Sequence, residues 1–281
     1  MLGEKEVYKR ILTVQDVSCV GQCSITVALP ILSACGLETA ILPSTILSTH
    51  TSGFSGYTVR DLTEDMPAIL AHWKREGIRF SALYTGYLGS IKQIEYVKSI
   101  ASYVRSCGGD IIIDPAMADN GALYPAFDEF FVFEMKTLIK EADVILPNLT
   151  EACYLTGKPY RTEYDETYIK DVADGLLSLG AKKVVLTGVS YEEGSTGVAV
   201  FDDGYSYYKH KKIARNCHGT GDVYASAFTG AYEKGRTAYE SAVLAADFTV
   251  KCIEKTIPDE SHWYGVKFEL ALPDLIKAFE R

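Results

Sequence analysis

The sequence predicts a doubly wound α/β fold, a mostly parallel sheet with helices on both faces, in one unit spanning residues 1–281. Three observations predict it. Continuous apolar runs recur at Ile111-Ile112-Ile113, Val144-Ile145-Leu146 and Val184-Val185-Leu186, the pattern of strands buried on both faces. Strand-like and helix-like segments alternate along the chain, which favours parallel pairing through crossovers. Polar residues stand at or just past the run ends, as Asp114, Asn148 and Thr187, where open α/β sheets bind their ligands.

The elements follow in order. Arg10–Val14 is a short apolar strand. Residues 22–36 read as a helix closed by Gly36. Thr39–Pro43 is a second strand. Residues 64–75 read as a helix, with Glu64 and Asp65 at its start and Gly77 as its stop, matching the charge preference of a helix N-terminus. Phe80–Tyr84 is the next strand, and 91–106 a periodic helix stopped by Gly108-Gly109. The three continuous runs come next. Asp202-Asp203-Gly204, between Val198–Phe201 and Tyr205–Tyr208, signals a hairpin. Helices are then expected over 221–234, 237–255 and 267–279. No repeat, low-complexity tract or linker interrupts the chain.

Composition narrows the function. Of the 281 residues, 47% are hydrophobic, enough for a large core. No apolar window of about 18 residues predicts a membrane span. The polar start Met1–Glu6 lacks the order of a signal peptide, so a cytoplasmic location is expected. A net charge of −9 argues against a nucleic-acid partner. It does not argue against a nucleotide, which needs only a local set of backbone N–H donors. Seven scattered cysteines read as reduced thiols. Cys19 and Cys23 have no second ligand pair to make a zinc site.

The most chemically specific segment is Arg215-Asn216-Cys217-His218-Gly219-Thr220-Gly221-Asp222, ahead of a helical stretch. Glycines let the backbone approach a ligand closely. The first N–H groups of a helix lack internal partners, and its dipole favours an anion. Gly219, Thr220 and Gly221 can therefore cradle a phosphoryl group, with Asp222 as the carboxylate that takes a proton from an attacking hydroxyl. No Gly-Lys-Ser/Thr follows, so this is not a Walker loop. Taken alone, the segment is equally a turn followed by a helix start.

Several further segments occur in an order that resembles the ribokinase-like superfamily, and within it the pyridoxal/pyridoxamine kinases, over nearly the whole chain. Gly219–Asp222 is similar to that superfamily's anion hole and catalytic aspartate. Gln15–Ser24 resembles the vitamin B6 kinase opening, with Ser18 as the serine that holds the pyridine. Leu47–Thr51 is similar to a segment ending in His-Thr, which puts Thr51 in the substrate pocket. Thr85-Gly86-Tyr87 implies Tyr87 beside the substrate ring. Asp114–Gly121 resembles an Asp-Pro-Val-Met-Gly-Asp segment, with Ala116 and Ala118 departing from it; Asp114 would lie near the ATP phosphates and metal. Asn148-x-x-Glu151 matches an element that orders Mg²⁺ and its waters, and is equally a helix capping box. Thr187 matches a nucleotide-contacting threonine; Leu146 stands where some members have another, and that contact is not carried over.

The resemblance implies a three-layer αβα sandwich, ATP and a B6 vitamer as substrates, and a homodimer. It implies Mg²⁺ as cofactor, held by Asp114, Asn148 and Glu151 partly through water, with a monovalent cation as a second candidate. Asp114, Asn148, Glu151, Thr187 and Gly219 would bind ATP; Ser18, Thr51, Tyr87 and Asp222 would bind the vitamer. Apart from the resemblance, Tyr208–Lys212 either closes as a cationic flap near the phosphates or is a solvated basic hairpin edge. The alternatives are a kinase acting on hydroxymethylpyrimidine, a sugar or a nucleoside, or a non-catalytic protein that binds pyridoxal phosphate or a nucleotide.

Overall fold

The computed structural model describes residues 8–213 and 217–280; Arg215 and Asn216 of the phosphate-site segment and the polar start Met1–Glu6 lie outside them. The chain runs β1 (Arg10–Ser18), α1 (Ile25–Ala34), β2 (Glu38–Leu47), β3 (Val59–Asp61), α2 (Met66–Arg75), β4 (Ala82–Thr85), α3 (Ile91–Ser106) and β5 (Asp110–Ile113). A small hairpin follows, β6 (Ala118–Asp119) and β7 (Ala122–Leu123), then α4 (Glu129–Ile139), β8 (Val144–Ile145), α5 (Leu149–Thr156), α6 (Glu166–Ser178) and β9 (Lys183–Val189). The last elements are β10 (Ser195–Phe201), β11 (Tyr205–Lys211), α7 (Thr220–Glu233), α8 (Ala238–Thr256) and α9 (Leu272–Lys277).

Nine strands form one sheet in the order β11-β10-β9-β8-β5-β4-β1-β2-β3. From β2 to β9 every pair is parallel; β3, β10 and β11 add antiparallel edges. The continuous apolar runs are explained by the period of two. Ile111 and Ile113 face a core packed by α2 to α6, whereas Ile112 faces one packed by α1, α7, α8 and α9. Leu12 and Ile11, Leu83 and Tyr84, and Val184 and Val185 divide in the same way. Both faces of the central strands β4, β5, β8 and β9 are covered, so their apolar runs do not alternate with polar residues there.

Helix α3 coincides with the periodic stretch 91–106, started by Ser90, whose side chain accepts from the Gln93 N–H. Other expectations need correction. The helix expected over 267–279 is broken into a 3-10 turn, Phe268–Leu270, and α9, with Pro273 in its first turn. Strand β2 runs past Pro43 to Leu47. Pro43 pairs with Gln15 beside a register break in β1, between Gln15 and Val17, the kind of irregularity that accommodates proline. The helix expected from residue 22 starts at Ile25. Helices α4 and α6 were not expected from the sequence at all.

Strand order reverses at β1, with β2 on one side and β4 on the other. The crevice beyond the carboxyl ends of β1 and β4 is the position where such sheets bind ligands. The opposite ends of the strands are pinned by Asp143. Its carboxylate accepts from the Ile111 N–H at 2.8 Å and pairs with Arg105 and Lys182, each at 2.7 Å. Asp143→Ala would leave that amide buried and unpaired, so we expect a loss of about 1–3 kcal/mol of unfolding free energy. Urea denaturation at pH 7 would show a lower midpoint at constant slope; an unchanged midpoint would mean the anchor is redundant.

Candidate active site

Helix α7 starts where sequence and packing meet. Gly219, its N-cap, has φ of 76° and no side chain to cap with. A Cβ at Gly219 would overlap the Gln22 carbonyl oxygen. The position therefore demands glycine twice, for its backbone and for its contact. Gly221 differs, because a Cβ there would meet nothing within 4 Å. The space above Gly221 is open, and the first N–H groups of α7 face it without a cap. Thr220 Oγ1 turns away to the Cys217 carbonyl at 3.4 Å. An uncapped helix start over open space is a geometry that suits an anion.

Asp222 is half-buried in the first turn of α7. Its carboxyl is pushed up to about 7, chiefly by burial, with the Asp16 charge adding and a hydrogen bond from the Ser24 N–H opposing. A carboxylate near neutrality can take a proton and hand it on at working pH.

The β1 end is built differently from the expectation. Ser18 is there, 1% exposed, but its hydroxyl donates to Asp16 Oδ2 at 2.9 Å. Asp16, which sequence reasoning passed over, is the central group. It sits at the register break of β1 and is nearly buried. Its other oxygen accepts from Ser24 Oγ at 2.5 Å. Ser24 pays for this arrangement. It is the N-cap of α1, yet its hydroxyl makes no cap bond, and its backbone stands at φ 55°, ψ −130°. The forgone cap costs roughly 1 kcal/mol, and such a backbone on the order of 1–3 kcal/mol.

The other predicted residues surround this centre unevenly. Tyr87 is partly buried, its ring 5.3 Å from that of Phe127 and close enough to Asp16 to feel its charge. Thr51 is exposed at the head of the loop that follows β2. Its neighbour His50 is the buried one: Nδ1 accepts from the Ser52 N–H, and Nε2 bonds the Tyr264 carbonyl at 2.8 Å. With Nδ1 accepting, Nε2 carries the proton. Phe54 from the same loop lies 4.6 Å from Trp263, so two distant segments meet over the β1 end.

On the β5 side, Asp114 follows the strand and is pushed well up by burial, then by the Glu151 and Asp222 charges. Asn148 and Glu151 form a reciprocal capping box on α5. Glu151 also accepts from the Met117 N–H at 3.1 Å, and Asn148 donates to the Ala118 carbonyl at 2.8 Å. They hold the 117–118 turn, so their structural reading is realised whatever else they do. Thr187 lies inside β9 rather than at its end, its hydroxyl directed to the Pro147 carbonyl at 3.3 Å. Of the two readings of Tyr208–Lys212, the structure has the hairpin edge: 208–211 lie in the regular edge strand β11, where Tyr208 bonds Asp247 and Lys209 pairs with Glu192.

Among the described residues no three His, Cys, Asp or Glu side chains form a ready-made metal site, and no helix is long and apolar enough to cross a membrane. The donor set still suits a hard cation. Asp114 is a carboxylate whose charged neighbours are also acidic, and oxygen donors of this kind favour Mg²⁺ arriving on a nucleotide.

Comparison with known proteins bears on the fold and the family. The phosphomethylpyrimidine kinase family model matches residues 34–266. The chain is 28% identical to the hydroxymethylpyrimidine/phosphomethylpyrimidine kinase of Bacillus subtilis, over 78% of each chain. It is 35% identical to a Bacteroides thetaiotaomicron protein assigned as a phosphomethylpyrimidine kinase and crystallised with pyridoxal, at a TM-score of 0.90 and covering 95% of this chain and 96% of that one. It is 31% identical to the pyridoxal kinase of Lactobacillus plantarum, at a TM-score of 0.89, covering 97% and 98%. The fold is that of the pyridoxal kinase structures, and the chain belongs to the phosphomethylpyrimidine kinase family.

Proposed function

We propose that this kinase transfers the γ-phosphoryl group of ATP to the 5′-hydroxymethyl group of a vitamin B6 vitamer: pyridoxal, pyridoxamine or pyridoxine. The observation that carries the reading is Asp222, raised to about 7, in the first turn of an uncapped helix and facing a second acidic centre at the β1 end. The likeness to a structure with pyridoxal and to a pyridoxal kinase favours a pyridine acceptor.

In this reading the vitamer lies beyond the end of β1, beside Tyr87 and the Ser18–Asp16–Ser24 cluster, with the Thr51 loop above it. Its hydroxymethyl group points at Asp222, which removes the proton as the phosphoryl group moves. The backbone N–H groups of Gly219, Thr220 and Gly221 stabilise charge on the transferred group, the electrostatic part of catalysis. ATP extends toward Asp114, Asn148, Glu151 and Thr187. Asp114, Asn148 and Glu151 are the residues that would hold Mg²⁺, which would supply charge neutralisation of the phosphates. Asn148 and Glu151, already engaged in the capping box, act through water.

A hydroxymethylpyrimidine acceptor is the second reading, favoured by the family model and by the Bacillus subtilis relative. Both acceptors present a hydroxymethyl group on an aromatic nitrogen ring, so Asp222 serves either. A protein that only binds pyridoxal phosphate would gain nothing from an acidic group beside its phosphate.

Steady-state ADP release with Mg²⁺, ATP and each acceptor separates these readings. Turnover with at least one B6 vitamer, at higher kcat/KM than with hydroxymethylpyrimidine, is expected; turnover with the pyrimidine alone would assign the second reading. Since Asp222 must be deprotonated to act, kcat/KM is expected to fall as pH drops below about 7. A flat profile between pH 5 and 8 would contradict its role. Gly221→Ala fits the open space and is expected to leave Tm nearly unchanged while lowering kcat ~10²-fold by crowding the phosphoryl site. Gly219→Ala, which meets the Gln22 carbonyl, is expected to lower Tm as well.

A further inference from the structure

We propose that His50 is a positioning residue for acceptor binding: it fastens the loop that carries Thr51 to a remote stretch of chain, residues 262–265, and so sets where Thr51 stands over the acceptor. The proposal rests on the reading that the acceptor lies beneath this loop.

A buried histidine beside a phosphoryl site invites an acid–base role, but both of its ring nitrogens are already engaged. Nδ1 accepts from the Ser52 N–H at 3.2 Å, and Nε2–H donates to the Tyr264 carbonyl at 2.8 Å. Neither is left to serve a substrate. The first bond shapes the loop locally; the second spans 214 positions. The ring is packed as well as bonded. A Cβ at Gly21, whose φ is 111°, would overlap it. The His218 ring lies 5.4 Å away on its other neighbour, next to Gly219.

Exposure shows what this bond holds. From Thr51 to Arg60 every residue except Phe54 is exposed. Phe54 turns to the same remote stretch as His50, its ring 4.6 Å from that of Trp263 and 6.3 Å from that of Tyr264. Gly53, with φ of 84°, lies against Trp263, where a Cβ would come within 2.8 Å of the indole. His50 and Phe54 therefore seat the loop on one segment, the stretch between α8 and the 3-10 turn.

That segment is in turn fixed to the phosphoryl site through Gln22. The Gln22 side chain accepts from His262 Nε2 at 2.7 Å and donates to the Glu269 carboxylate at 2.9 Å. A Cβ at Gly265 would crowd its amide. The backbone carbonyl of the same Gln22 is the group against which Gly219 packs. Gln22 thus holds the start of α7 on one side and residues 262–265 on the other, and His50 carries that placement on to Thr51. Loosening His50 should therefore weaken the acceptor's seat while leaving the nucleotide's end of the site in place.

The test separates the two bonds of His50 by substitution. His50→Asn keeps an oxygen for the Ser52 N–H, as an Asx turn does, but is too short to reach Tyr264. His50→Gln places an amide N–H where Nε2 stands. Both are compared with the unaltered protein for KM of the acceptor, KM of ATP and kcat. His50→Asn is expected to raise KM for the acceptor ~10-fold or more with KM for ATP changed less than about threefold, and His50→Gln to recover most of that loss. Should His50→Asn fail to fold, Trp263→Ala, which removes a half-exposed ring from the same seat, carries the same expectation. An unchanged acceptor KM in His50→Asn, or in Trp263→Ala where it stands in, would overturn the proposal. So would equal rises in the Asn and Gln variants, or a rise in KM for ATP as large as that for the acceptor. The acceptor reading is judged apart, on the unaltered protein with each B6 vitamer and with hydroxymethylpyrimidine. Turnover of the pyrimidine alone overturns the vitamer, and the His50 comparison is then read with the pyrimidine; turnover of neither overturns both.

Discussion

The approach of Gly219 to the Gln22 carbonyl is the contact on which the site depends. It forces the start of α7 against the turn that leaves β1, with no room for a side chain between them. Three consequences follow. The helix begins with an αL glycine and so has no capping side chain, which leaves its amides for a ligand. Asp222, one turn in, is brought to the β1 end rather than to solvent. Ser24 comes within reach of Asp222 and is held there at a backbone cost. A larger residue at 219 would relieve nothing and separate all three.

The second constraint is charge. Asp16, Asp114, Glu151 and Asp222 crowd the carboxyl ends of β1, β5 and β8, and all four are raised by burial first; Asp114 is raised further by the Glu151 and Asp222 charges, and Asp222 by that of Asp16. Among the described residues, these acids are paired with hydroxyls and amides rather than with lysine or arginine: Ser18 and Ser24 on Asp16, the Asn148 and Met117 amides on Glu151. Neutral donors keep a carboxylate in place without cancelling its charge. Such a centre would gain from a cation that enters with its substrate; in the proposed reading the nucleotide's phosphates would meet backbone N–H groups and the acids would meet the metal.

Much of this was legible in the sequence, and the reasons for the rest are physical. The isoleucine and valine runs announced strands covered on both sides, because a parallel sheet leaves no polar face. Gly219 to Asp222 announced an open helix start beside a carboxylate. Helix α4 was hidden because Phe130 and Phe133 lie on its exposed side, which blurs the apolar periodicity. Asp16 was hidden because its importance comes from a register break, and a break depends on the partner strand. Ser18 drew attention in its place, although its hydroxyl serves Asp16. Ser24 looked like an early residue of a helix starting at 22; only the backbone angles reveal that the helix waits for it. Local residue types signal the ligand's chemistry, whereas the coupling between acids is a property of the packed structure.

The most direct test of the account is a single-turnover measurement on Asp222→Asn. Enzyme in excess, loaded with Mg·ATP, is mixed with pyridoxal, and phosphorylated product is followed in time, with ATP affinity measured separately. The account predicts ATP binding near that of the unaltered protein and a chemical step slowed by ~10²-fold or more. A chemical step of unchanged rate, with ATP bound equally well, would contradict it.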